Sequence, residues 1–164
     1  MNIKPYLLLC IVLVFVQWCP LPGTHITLDA KGNLKIIDIK GGTSNSHLLL
    51  SINENRLRVT DHSNKLSGDG IQINANTKEI PLKSITGDLL MTDFSGKDTL
   101  SLAADLQLKS TQGIYINGVA NVVLDADLFL GNLQIHHATS ITQNGFIGTQ
   151  KGSIDYQASD GIIL

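Results

Sequence analysis

The chain has 164 residues, 43% of them hydrophobic, 16% charged and 5% aromatic, with a formal net charge of −2. That length suits one domain or a piece of a larger protein, and the apolar content excludes a disordered chain. Twelve Lys and Arg against 14 Asp and Glu provide no basic field for nucleic acid, which is not expected as a partner.

The chain opens with Lys4 and an unbroken apolar run from Tyr6 to Val16. The run is shorter than the roughly 20 residues a membrane-spanning helix needs. A charged start and a short apolar stretch mark residues 1–23 as a secretory signal peptide, closed by Pro20, Pro22 and Gly23. An uncleaved anchor is one alternative, and a lipidated Cys19 is another, although Trp18 is bulky where a small residue is wanted. No membrane span is expected beyond this leader. Both cysteines, Cys10 and Cys19, lie within it. A mature chain without them has no disulfide and no cysteine zinc site.

Residues 24–98 read as a β-meander. Apolar and polar residues alternate in Leu34–Ile39, His47–Ile52 and Arg56–Thr60, the period of a half-buried strand. Asn53-Glu54-Asn55 links the last two, and its Asn residues tolerate left-handed backbone angles. Pro81 fits a strand edge or a bend.

Residues 99–164 carry a tighter pattern. Leu100, Val122, Ile141 and Ile162 are 22, 19 and 21 residues apart, with two further apolar centres in each interval. Three short strands per turn of about 20 residues is the signature of a right-handed parallel β-helix, a β-solenoid. Gly113, Gly118, Gly131, Gly145, Gly148, Gly152 and Gly161 fall between the runs, where corners are needed. The fold class expected is therefore all-β, a meander followed by solenoid coils. An antiparallel sandwich of short strands is the alternative.

The stretches Ser95–Ser110, Val119–Leu130 and Gly152–Leu164 resemble the repeats of filamentous-haemagglutinin-like and autotransporter-passenger-like bacterial surface proteins. The resemblance implies a β-solenoid exposed at the cell surface, structural or adhesive. Members of such families are usually far longer, with an anchoring or translocating region.

Four constellations bear on chemistry. Gly96, Asp98 and Leu100 match the later half of a calcium-binding nonapeptide, which makes Asp98 a candidate calcium ligand; one imperfect copy stands where a calcium roll needs several. Asp125 and Asp127 share one face of an extended segment, as paired acid and base groups of a polysaccharide-cleaving enzyme would. No basic residue lies between Lys109 and Lys151 to support them, so solvated corner carboxylates are the plainer expectation. His136 and His137 are adjacent and point to opposite faces, a poor arrangement for one metal ion. The Ser and Thr pairs, such as Ser110-Thr111 and Thr139-Ser140, come with no nucleophile elbow and no Ser–His–Asp ordering.

The function expected is that of a non-enzymatic exported surface protein, a stalk or adhesin-like solenoid, with a surface polysaccharide or protein as its ligand. A carbohydrate-active β-helix enzyme and a calcium-binding repeat module are the alternatives. The sequence stops at Gly161-Ile162-Ile163-Leu164, inside an apolar strand. This predicts either the N-terminal piece of a longer protein or self-association through the C-terminal rung.

Overall fold

The computed structural model describes residues 22–40, 45–103 and 105–164. The leader expected over residues 1–23 falls almost wholly outside them. The first strands are β1 (Thr24–Leu28), β2 (Leu34–Asp38), β3 (His47–Asn53), β4 (Arg56–Asp61), β5 (Leu66–Gly68), β6 (Ile71–Asn74), β7 (Thr77–Pro81) and β8 (Leu89–Thr92). The remainder are β9 (Thr99–Leu102), β10 (Leu106–Gln107), β11 (Gly113–Asn117), β12 (Asn121–Leu124), β13 (Leu128–Leu130), β14 (Asn132–Gln143), β15 (Ile147–Thr149) and β16 (Ile154–Ile163). The only helical element among the described residues is one 3-10 turn, Leu82–Ser84. No described helix is long and apolar enough to cross a membrane.

From β8 onward the chain winds as a β-solenoid whose strands pair in parallel with those one coil away. The first face stacks β2, β8, β11, the first half of β14 and the start of β16. The second stacks β3, β9, β12, the second half of β14 and the end of β16. The third stacks β10, β13 and β15. The spacing read from sequence is this register: Leu100 pairs with Val122, Val122 with Ile141 and Ile141 with Ile162. The other two sets of centres behave alike. Ile114 pairs with Leu133 and Leu133 with Ile154, while Leu106 pairs with Leu128 and Leu128 with Ile147. Parallel pairing throughout these coils excludes the antiparallel sandwich.

Alternation explains why such short segments suffice. Along β12 and β13 every second side chain is buried, and the buried ones stack on their equivalents in adjacent coils. Leu34, Leu89, Ile114 and Leu133 form one inward row, each no more than 1% exposed. Burying one such side chain contributes roughly 1.5–3 kcal/mol, so a two- or three-residue strand is held mainly by its row. The inward positions Leu100, Leu106, Val122, Leu128 and Ile141 are buried as the pattern predicts. Ile154 and Ile162 occupy the same rows but are 44% and 43% exposed, because β16 has a coil on only one side.

The stack starts upstream of Thr99, since β2, β3 and β8 already pair in register with later coils. Between β3 and β8 the chain leaves the coil path for an antiparallel patch in the order β3-β4-β7-β6. The meander expected over residues 24–98 is confined to this excursion and is not strictly sequential, because β5 pairs with β1 instead. β1 lies antiparallel on β2 and parallel to β5. The period hid this beginning because β2 and β8 are separated by the whole excursion. The turn joining β3 to β4 closes at the Asn53–Arg56 pair, and its left-handed residue is Glu54 (φ 55°), not a flanking Asn. Pro81 ends β7 just before the 3-10 turn, beyond the reach of β6, where its missing N–H costs no bond.

Two glycines illustrate different needs. Gly118 turns the corner from the first face to the second with φ 81°, and a Cβ there would lie 2.3 Å from the Phe94 carbonyl oxygen. Gly148 is not at a corner. It sits inside β15, where an added Cβ would press on the rings of Phe146 and Phe129. Asp160-Gly161 likewise lies within β16, which passes from the first face to the second with register shifts near Ala158 instead of a broken turn.

Candidate functional site

The sequence candidates are placed far apart, and most of them bind the next coil. Asp98 is 1% exposed. Its Oδ1 accepts the Ser46 N–H at 2.6 Å and its Oδ2 accepts the Ser95 N–H at 2.9 Å. It thus pins the turn before β9 to the chain entering β3. Burial pushes its carboxyl up from the ordinary 3.8, and the neighbouring carboxylates of Asp38 and Asp61 push the same way against the two amide bonds. No group of three or more His, Cys, Asp or Glu side chains among the described residues has an arrangement that could hold a metal ion.

Asp125 and Asp127 both face outward at the corner before the third face, as their spacing implied. Asp125 Oδ1 accepts the Asn144 side-chain amide at 2.6 Å, and Asp127 Oδ1 accepts the Phe146 N–H at 2.8 Å. The Asp127 N–H in turn donates to Asp105 Oδ1 at 2.9 Å. These partners are 19 to 22 residues away, one coil along. Among the described residues no ion pair involves either aspartate. His136 and His137 do not point to opposite faces as expected: His137 has φ 55° at the corner, both rings lie outside with centroids 6.4 Å apart, and only their hydrogen-bond partners differ. The His136 Nε2 meets Asp155 Oδ2 of the next coil at 2.8 Å, while the His137 Nδ1 meets Asn117 Oδ1 of the preceding one at 2.7 Å. Among the hydroxyls, Ser140 Oγ donates to Asn121 Oδ1, again one coil back. Tyr156, half-buried, donates its hydroxyl to Gln143 Oε1, and burial pushes it up to about 12.

Sequence reasoning missed the most heavily bonded acids. Asp61 is fully buried; its Oδ2 accepts the Thr24 hydroxyl at 2.7 Å. Its Oδ1 accepts the N–H groups of His47, Ser63 and Asn64 at 3.2, 2.9 and 3.0 Å. The signal was present, because Asp followed two and three residues later by Ser and Asn at a strand end is an Asx-turn pattern. Glu79, 2% exposed on β7, accepts from Arg58 Nη2 at 2.6 Å, Arg56 Nη1 at 3.3 Å and the Asn53 amide at 2.8 Å.

Two open clefts adjoin the 3-10 turn. One, of about 450 Å³, lies between that turn and the third face, and its lining includes Lys83, Gln107, Lys109 and Gln150. The other, of about 500 Å³, lies on the meander side and is lined by Glu54, Asn55 and Arg56 with Pro81, Leu82 and Lys83. Buried Gln112 fixes the first cleft's wall: its Nε2 donates to the Ile85 and Gly87 carbonyls and its Oε1 accepts the Lys109 N–H. On the outside of the third face Phe129 and Phe146 are 42% and 61% exposed, with ring centroids 5.7 Å apart.

No protein-family model, curated protein or solved structure matches this chain.

The acids predict a pH response of defined sign. The Arg58 guanidinium, then the Asn53 amide, hold Glu79 below its ordinary 4.5. The unfolded chain is then the better proton binder, so this stabilisation is present above the unfolded value and lost as pH falls through the folded one. Asp98 works in reverse. Its raised value makes the folded state the better proton acceptor, and protonation as pH falls through that value steadies the fold. In thermal melts between about pH 5 and about pH 3, Glu79→Gln should flatten the acid loss of stability and Asp98→Asn should steepen it. An acid limb unchanged in Glu79→Gln would refute the first assignment.

Proposed function

We propose that this chain is a non-enzymatic exported surface protein whose β-solenoid acts as a structural stalk or adhesin-like surface, akin to filamentous-haemagglutinin-like and autotransporter-passenger-like proteins. The observation that supports this reading most is the use of the corner residues. Asp98, Asp105, Asp125 and Asp127 each accept a bond that ties one turn of chain to another. Carboxylates that serve to hold coils together are spent on rigidity, whereas an acid–base pair must converge on a substrate with a supporting cation.

The leader carries the export half of the proposal. Expressed in a bacterial host, the chain should be recovered at the surface or outside the cell, shortened near Gly23. Recovery in the cytosol with the Met1 end intact would overturn it. On the same reading, added calcium leaves the melting temperature unchanged; a rise that Asp98→Asn abolishes would instead support the calcium-binding alternative.

A further inference from the structure

We propose that the two clefts flanking Leu82 and Lys83 form one binding trough for a linear acidic polysaccharide. The inference rests on the surface reading above, since a surface protein is one that meets such polymers. The clefts share Leu82 and Lys83, so they lie side by side on the two flanks of the 3-10 turn and one extended chain laid across Lys83 would meet both; each falls in the ~300–1,000 Å³ range typical of ligand sites. Both are open troughs, a shape that admits a chain passing through.

The charge along the trough is opposite to that of the whole molecule. Lys83, Lys109 and Arg56 line it, and Glu54 is the one acid in the lining. Arg56 shares the single carboxylate of Glu79 with Arg58, so that cluster keeps a positive surplus. The Lys83 and Lys109 ammonium groups make no hydrogen bond or ion pair with the described residues. The exposed side-chain amides of Gln107 and Gln150 are likewise unengaged, and together they offer donors and acceptors for sugar hydroxyls.

The aromatic pair favours a glycan. On the third face Gln107 pairs with Phe129, and Phe129 with Gly148, so Phe129 occupies the rung next to cleft-lining Gln107, on strands roughly 4.8 Å apart. Gly148 leaves room for both rings to lie over the strand. An exposed apolar ring beside amides and lysines suits the C–H face of a sugar, with the acid group turned to the cations. Nucleic acid is a poorer fit, because its denser charge demands a wider basic field than these few cations supply.

The test is calorimetric titration of the full chain with a carboxylated oligosaccharide (oligogalacturonate), a sulfated oligosaccharide, a neutral cello-oligosaccharide and oligo-dT. Binding to one or both acidic glycans is expected, weakened by salt, with the two arms separating carboxylate from sulfate recognition. Lys83→Ser with Lys109→Ser should weaken that binding about tenfold, and Phe129→Ala should weaken it too. Lys35→Ser, exposed on the first face, should not. Melting temperatures of the variants report folding separately. The proposal is overturned by no binding to either acidic glycan, by equal binding of the neutral one or of oligo-dT, or by lysine variants that bind normally. A cytosolic chain that still binds would sink the surface reading alone, and a surface chain that does not bind would sink only the trough.

Discussion

Ile114→Asp is expected to abolish cooperative melting. Ile114 is fully buried in the inward row, paired with Leu89 on one side and Leu133 on the other. A carboxylate there has no partner, and an unpaired buried charge costs about 4 kcal/mol or more. A domain of this size is stable by only ~5–15 kcal/mol in total. The row is shared between coils, so the damage spreads to both neighbours instead of staying in one strand. Ile114→Val removes one methylene and should cost only about 1 kcal/mol. Circular dichroism melts of the two variants separate the cases, and an Asp variant that melts like the parent would mean the row is not inward.

Asp61→Ala should be the most damaging polar substitution. It strips the acceptor from the buried Thr24 hydroxyl and from three part-buried backbone N–H groups near β3 and the end of β4. Leaving the buried Thr24 hydroxyl and the part-buried amides without their shared acceptor costs about 2–3 kcal/mol, because donors cut off from water keep their desolvation penalty. Asp61→Asn retains an oxygen for the three amides and lets the Thr24 hydroxyl accept instead, so it should lose less than half as much. Denaturant unfolding with a constant slope would measure both. Equal losses for Ala and Asn would show that charge, not hydrogen-bond geometry, holds this corner.

How legible each part was follows from how local its cause is. The coil register could be read because identical rows must repeat at the coil length, and Leu100, Val122, Ile141 and Ile162 do so without interruption. The first coil could not, since β2 and β3 reach their parallel partners only after the excursion through β4 to β7. The opposite-faces expectation for His136 and His137 fails, because the left-handed backbone of His137 breaks the strand alternation at the corner and leaves both rings outside, 6.4 Å apart. Their partners, Asp155 and Asn117, depend on a fold-wide register and were not legible either. The trough was hidden for the same reason. Lys83 and Lys109 are 26 residues apart in the chain, and only the docking of the 3-10 turn on the third face brings them to one cleft.

The reversed strands at the start of the stack give the molecule a direction. β1 lies against β2, and β4 against β3, each antiparallel, so neither first-coil edge offers a parallel template on that side. The parallel coils all stack on the other side. A chain that emerges amino-terminus first completes this end before any later coil exists; β8 and β9 must reach back 52–55 residues to β2 and β3, and every coil after them finds a finished edge about 20 residues behind it. Each later step is thus a short loop closure onto an existing surface, not a search across the whole polypeptide. The architecture therefore lends itself to vectorial assembly, laid down course by course from its first coil.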